Sequence, residues 1–118
     1  MLCVDSDSIQ LNNLERLFEP YAKKVYTATD PHEAIRIFKE KKPFIVVIGG
    51  GMATNYEGKK ACFYIHDEIK NVSEAIPDIV IISINPEIVK ECKKQHIKVH
   101  GLHEIEGEKL KEAFPHFK

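Results

Sequence analysis

Pro43-Phe44-Ile45-Val46-Val47-Ile48-Gly49-Gly50-Gly51-Met52 decides how the rest of this chain is read. Five apolar residues, four of them β-branched, run without a break into three glycines. A short unbroken apolar run closed by turn formers predicts a strand buried on both faces, at the centre of a sheet. The glycines stop it abruptly and open a loop at its carboxyl end. In open α/β sheets ligands and chemistry gather at that end.

Before this strand the pattern is strand, helix, strand, helix. Met1-Leu2-Cys3-Val4 predicts a short strand, and Asp5-Ser6-Asp7-Ser8 a helix entry with Asp7 or Ser8 as the cap. The first helix runs from Ile9 to about Phe18, with Leu11, Leu14, Leu17 and Phe18 on one face. Lys24-Val25-Tyr26-Thr27-Ala28 is a second strand, polar enough to lie near an edge. Thr29-Asp30-Pro31 opens a second helix whose inward stripe is Ala34, Ile35, Ile37 and Phe38. Lys39, Lys41 and Lys42 suit the negative end of its dipole.

Beyond the glycines, Glu57-Gly58 is expected to precede a third helix over about Lys59 to Val72, with Ala61, Cys62, Ile65 and Ile69 inward. Ile76-Pro77-Asp78 predicts a turn into a fourth, central strand, Ile79 to Ser83. Asn85-Pro86 opens a fourth helix, Glu87 to Gln95, with Ile88, Val89 and Cys92 inward. A short fifth strand follows, Lys98 to Leu102. Glu106-Gly107-Glu108 starts a last helix with Leu110, Ala113 and Phe114 facing in. Five strand–helix units predict right-handed crossovers and one α/β domain over residues 1–118, a parallel sheet with helices on both faces.

Bulk composition narrows the function. With 43% apolar and 30% charged residues, 118 residues can build one soluble core. A net charge of −1 provides no footprint for nucleic acid or an anionic membrane. The longest apolar runs, about five residues, fall far short of the roughly 20 that a membrane span requires. No basic-then-apolar leader is visible. Cys3, Cys62 and Cys92 are an odd set inside apolar patterns, without metal-type spacing. Reduced, packed thiols in a cytoplasmic protein are the expectation.

The ordered layout resembles the receiver domain of two-component response regulators over the whole chain. Val4-Asp5-Ser6-Asp7 is similar to that family's acidic turn after strand one, and Pro43 to Ile48 to its third strand. Glu57-Gly58 resembles its Asp-Gly opening of helix three, and Ser83 stands where it has Thr or Ser. The resemblance implies a flavodoxin-like three-layer sandwich with five parallel strands in the order 2-1-3-4-5. It also implies an aspartyl phosphoacceptor at the end of strand three, a Mg²⁺ ion held by the acidic turn, and a strand-five lysine on the phosphoryl oxygens.

Carried over position by position, the resemblance breaks at the chemistry. The acceptor position falls on Gly49 counting from Pro43, and on Gly50 counting back from Gly58; no carboxylate lies between Phe44 and Asn55. Asp5, Ser6 and Asp7 are a remnant acidic pocket with Ser at its second position. The family's loop Met-Pro is Met52-Ala53. Among the switch positions, Ser83 keeps its character, the aromatic becomes His100 and the lysine becomes His103. Glycine offers no nucleophilic oxygen, so aspartyl phosphorylation there is excluded, and no Mg²⁺ of physiological affinity, nor any other cofactor, is expected. The resemblance then implies a degenerate receiver in a phosphorelay-type system. It would act on a protein partner through the helix 4–strand 5–helix 5 face, around Ile88, Lys94, His100 and Lys109, and would not be an enzyme.

Other readings of the same residues stay open. Gly49-Gly50-Gly51 could cradle an anion or small molecule on successive amides, or could form a tight turn needing positive φ. No Lys-Ser or Lys-Thr pair follows, as a nucleotide loop would require. His96, His100 and His103 cross a helix end and a strand, and no pattern for a metal site is complete. His103 could pair with Asp5 in a pH-sensitive contact. Asp5 and Asp7 suit helix capping better than acid–base work. Lys39, Lys41, Lys42, Lys59 and Lys60 are scattered and read as solvated faces.

Overall fold

The computed structural model describes residues 1–52, 55–75, 77–106 and 108–115. Ala53, Ile76 and Gly107, read above as loop, turn and helix entry, lie outside the described residues. Strand β3 (Ile45–Gly49) is the centre, buried at all five positions. It pairs in parallel with β1 (Leu2–Val4) on one side and β6 (Asp78–Ile82) on the other. β2 (Tyr26–Ala28) and β7 (Lys98–His100) form the edges, both parallel. The sheet order β2-β1-β3-β6-β7 places its five parallel strands as 2-1-3-4-5 in chain order, the flavodoxin-like arrangement.

The period of two along β3 divides the core. Val46 and Ile48 join one apolar cluster with Phe38, Ile65, Ile69 and Cys92, drawn from α2 (Pro31–Lys41), α3 (Ala61–Val72) and α4 (Pro86–Lys94). Ile45 and Val47 join another with Leu14, Phe18, Leu110 and Phe114, from α1 (Ser8–Phe18), α5 (Lys109–Ala113) and the residue after it. An amphipathic strand can supply one face only, so an all-apolar strand requires both layers. Cys3, Cys62 and Cys92 are buried, unbridged thiols. Burial pushes the Cys3 thiol up to about 12 and the Cys92 thiol up to about 11.

Caps and inward stripes largely match the sequence. Asp7 Oδ1 accepts the Ile9 and Gln10 N–H groups at 2.9 and 3.4 Å. Asp30 accepts from Glu33 N–H, and Asn85 from Glu87 N–H, at 2.9 Å each. Leu17, Ile37 and Val89, expected inward, are only partly buried, because each lies at the margin of its helix's apolar stripe. Strands two and five are shorter than expected and strand four lies one residue earlier; the fifth stops at His100, since Gly101 begins a 3₁₀ turn, Leu102–Ile105.

The largest departure lies between β3 and α3. Glu57-Gly58 does not open the helix. It is the two-residue turn of a hairpin joining β4 (Asn55–Tyr56) to β5 (Lys59–Lys60), antiparallel, with Tyr56 opposite Lys59. Both turn residues have positive φ, 51° and 78°, as a type I′ hairpin turn demands. Helix α3 therefore starts at Ala61, not Lys59. Tyr56 stacks on Tyr64 at 5.3 Å between ring centroids, and His32 meets both rings edge-on, which anchors the hairpin to α2 and α3. Lys59 bonds Asp67 at 2.6 Å, and His66 contacts the other Asp67 oxygen at 3.0 Å. Partial burial would raise the Asp67 carboxyl, but these two partners outweigh it and hold it below the usual range.

Candidate functional site

The parallel register brings four strand ends to one edge. Asp5 N–H donates to Ala28 C=O at 3.1 Å, Gly50 N–H to Ile82 C=O at 2.8 Å, and Ser83 N–H to His100 C=O at 2.9 Å. Asp5, Gly49, Gly50, Ser83 and His100 are thus neighbours at the carboxyl edge. Two hollows run along it and share Gln10 and Ile82. One, of about 280 Å³, is bordered by Asp5, Ser6, Asp7, Gly50 and Gly51. The other, of about 440 Å³, is bordered by Ser83, Ile84, Leu102, His103 and Glu106.

Space, not dihedral freedom, favours glycine at positions 49 and 50. Gly49, Gly50 and Gly51 all have ordinary φ; the one positive-φ glycine among the described residues is Gly58. This corrects the expectation of a tight positive-φ turn. A Cβ on Gly49 would run into the Asp5 carboxylate, with Asp5 Oδ2 closest and Cγ at 2.7 Å. A Cβ on Gly50 would lie 2.7 Å from Ser83 Cβ and 3.1 Å from Ile82 C=O. A Cβ on Gly51 would meet nothing. The space an acceptor side chain would occupy is filled by Asp5 from one side and Ser83 from the other.

Asp5 is 7% exposed, a buried charged residue. Its Oδ1 accepts the Asp7 N–H at 2.9 Å. Burial raises its carboxyl above the usual range, the Asp7 N–H opposes that, and the Asp7 carboxylate adds to it. Asp7 itself points to helix α1 as its cap, and Ser6 is exposed. A hard cation would find one carboxylate here, partly committed and reluctant to ionise, far short of six oxygens. These residues do not fit Mg²⁺, and among the described residues no three His, Cys, Asp or Glu side chains converge on a metal site.

The remaining switch positions are parted. Ser83 Oγ accepts the Asn85 N–H at 3.0 Å and helps turn the chain into α4. His100 is half-buried, 4.0 Å from Glu104. Glu104 accepts the Gly101 N–H at 2.8 Å, which holds its carboxyl low. His103 folds back over Gly101, where a Cβ would lie 2.7 Å from its ring. It borders the larger hollow and packs on Gly101, and among the described residues no ion pair joins it to Asp5, so the expected Asp5–His103 pair is not formed. On the α4–β7–α5 face Lys94 and Lys109 are exposed, but Ile88 is 3% exposed and belongs to the core. The i, i+4 spacing of Ile88 and Cys92 already marks it as core.

Among the described residues no helix is long and apolar enough to cross a membrane. No protein-family model matches the chain, and no curated protein is significantly similar to it. Among solved structures, the crystal structure of the N-terminal domain of an uncharacterized protein from Wolinella succinogenes superposes with a TM-score of 0.63. That similarity covers 83% of this chain and 75% of the other, at 18% identity. At that identity the likeness establishes the fold.

Proposed function

We propose that this chain is a receiver-like signalling module of a two-component or phosphorelay type that has lost aspartyl phosphorylation and works by binding a protein partner. The observation that carries the reading is the carboxyl edge itself. Strand ends, acidic turn and Ser83 hold the arrangement of a phosphoacceptor site, while Gly49 stands at its focus beneath the Asp5 carboxylate. Loss of the nucleophile leaves binding as the route by which such a module acts. Its contact surface is α4, β7 and α5, where Lys94 and Lys109 are exposed beside half-buried His100.

The same reading makes the chain a non-enzymatic, cytoplasmic protein that needs no divalent ion. It is favoured over an anion-binding glycine loop, because the Gly50 N–H is committed to Ile82 and carboxylates border the hollow. Incubation with acetyl phosphate and Mg²⁺, followed by intact mass and a hydroxylamine-sensitivity assay, tests it. No acylphosphate should form; a hydroxylamine-labile phosphate would overturn the proposal. Thermal-shift curves against phosphate, nucleotides and flavin should stay flat.

A further inference from the structure

At the opposite, amino-terminal edge of the sheet lies a more enclosed hollow of about 280 Å³. Its apolar lining comes from Phe38 and the segments Pro43-Phe44 and Val72, where α2 and α3 end. Phe44 is 63% exposed and Val72 39% exposed, so apolar surface is left facing water there. Lys39 and Lys42 also line it, with Glu74 as the counter-charge among the described residues. Neither ammonium has a carboxylate within 4.0 Å among the described residues. Lys42 is set at the left-handed cap of α2, with φ 48°.

We propose that this hollow binds a small amphiphilic monoanion, a carboxylate on a medium-length apolar body. The volume is roughly twice that of the ~150 Å³ cavity that accepts benzene, so about eight to ten carbons fit. Two lysines facing one glutamate leave one positive charge at the mouth, which one carboxylate satisfies. The same lysines oppose a second copy of the chain, since a twofold contact would set Lys39 and Lys42 against their own kind. The site is separate from the carboxyl-edge cleft, so its fate is independent of the signalling reading.

The test is protein-observed NMR titration with octanoate and, in parallel, uncharged octan-1-ol. Octanoate should shift Phe44 and Val72 resonances with a Kd of about 0.1–1 mM, and octan-1-ol should bind about fivefold more weakly. K39E/K42E, two exposed changes that leave the core intact, should abolish that preference, with far-UV circular dichroism confirming the fold. F44A should weaken both ligands. Equal affinity for the two ligands, octanoate affinity retained in K39E/K42E, or shifts confined to Gly50 and Gly51 would each overturn the proposal. So would a concentration-dependent dimer in sedimentation that F44A dissolves, which would make the hollow a self-association face.

Discussion

The two edges of the central sheet are built from the same strands and are finished in opposite ways. At the carboxyl edge the chain closes over its own turns: Asp5 lies against Gly49, Ser83 against Gly50 and the His103 ring against Gly101. The Asp5, Gly50 and Ser83 N–H groups there are taken up by neighbouring strands. At the amino edge the approaches to β3 and β6 leave Phe44 and Val72 partly in water around a hollow with two lysines at its lining. A polar edge can be filled by its own side chains. An apolar hollow flanked by lysines has no such internal filling, and the proposed ligand is what would supply it.

The strongest way to break this contrast is to place a carboxylate at the end of β3. Gly49→Asp should cost about 2–4 kcal/mol in urea unfolding, because it overpacks the strand end and sets a second buried acid beside Asp5. It should not confer phosphorylation. Gly50→Ala should cost about 1–3 kcal/mol through the Ser83 contact, and Gly51→Ala less than about 0.5 kcal/mol. Equal costs at all three positions would refute the claim that space, not dihedral freedom, keeps Gly49 and Gly50.

Smaller effects sharpen the picture of the acidic turn. Asp7→Ala removes the cap of α1 and should cost about 1 kcal/mol by thermal or urea melts. Asp5→Asn should do the reverse at neutral pH, stabilising by about 1 kcal/mol. Asp5 has a raised carboxyl in the folded state, so the fold holds that proton more tightly than the unfolded chain does. Its contribution to stability is full below the unfolded value and is lost as pH rises through the raised folded value. Melts of Asp5→Asn between about pH 4 and 8 should lack that loss. At the amino edge Phe44→Ala should change stability by less than about 0.5 kcal/mol, its side chain being largely in water already.

Most of the layout was legible from residue patterns. Unbroken apolar runs at Ile45–Ile48 and Ile79–Ile82 mark strands buried on both faces, and Asp7, Asp30 and Asn85 mark three helix starts. The hairpin was not legible as such. Its strands are two residues each and carry no apolar alternation, and Glu57-Gly58 is an acidic-residue–glycine pair that suits a helix entry as well as a turn. The site was legible in its membership and not in its contacts. Spacing places Asp5, Gly49 and Ser83 at one edge, but not that the Asp5 carboxylate lies over Gly49 or that His103 turns back on Gly101.

The sequence by itself determined the parallel α/β sheet and the absence of any carboxylate at the end of β3, since the first follows from period and composition and the second from residue identity alone. Only the tertiary structure decided what takes the vacant space. Side-chain direction at strand ends depends on packing from elements far apart in the chain, and that packing put Asp5 over Gly49 and left the opposite edge open beside Lys39 and Lys42.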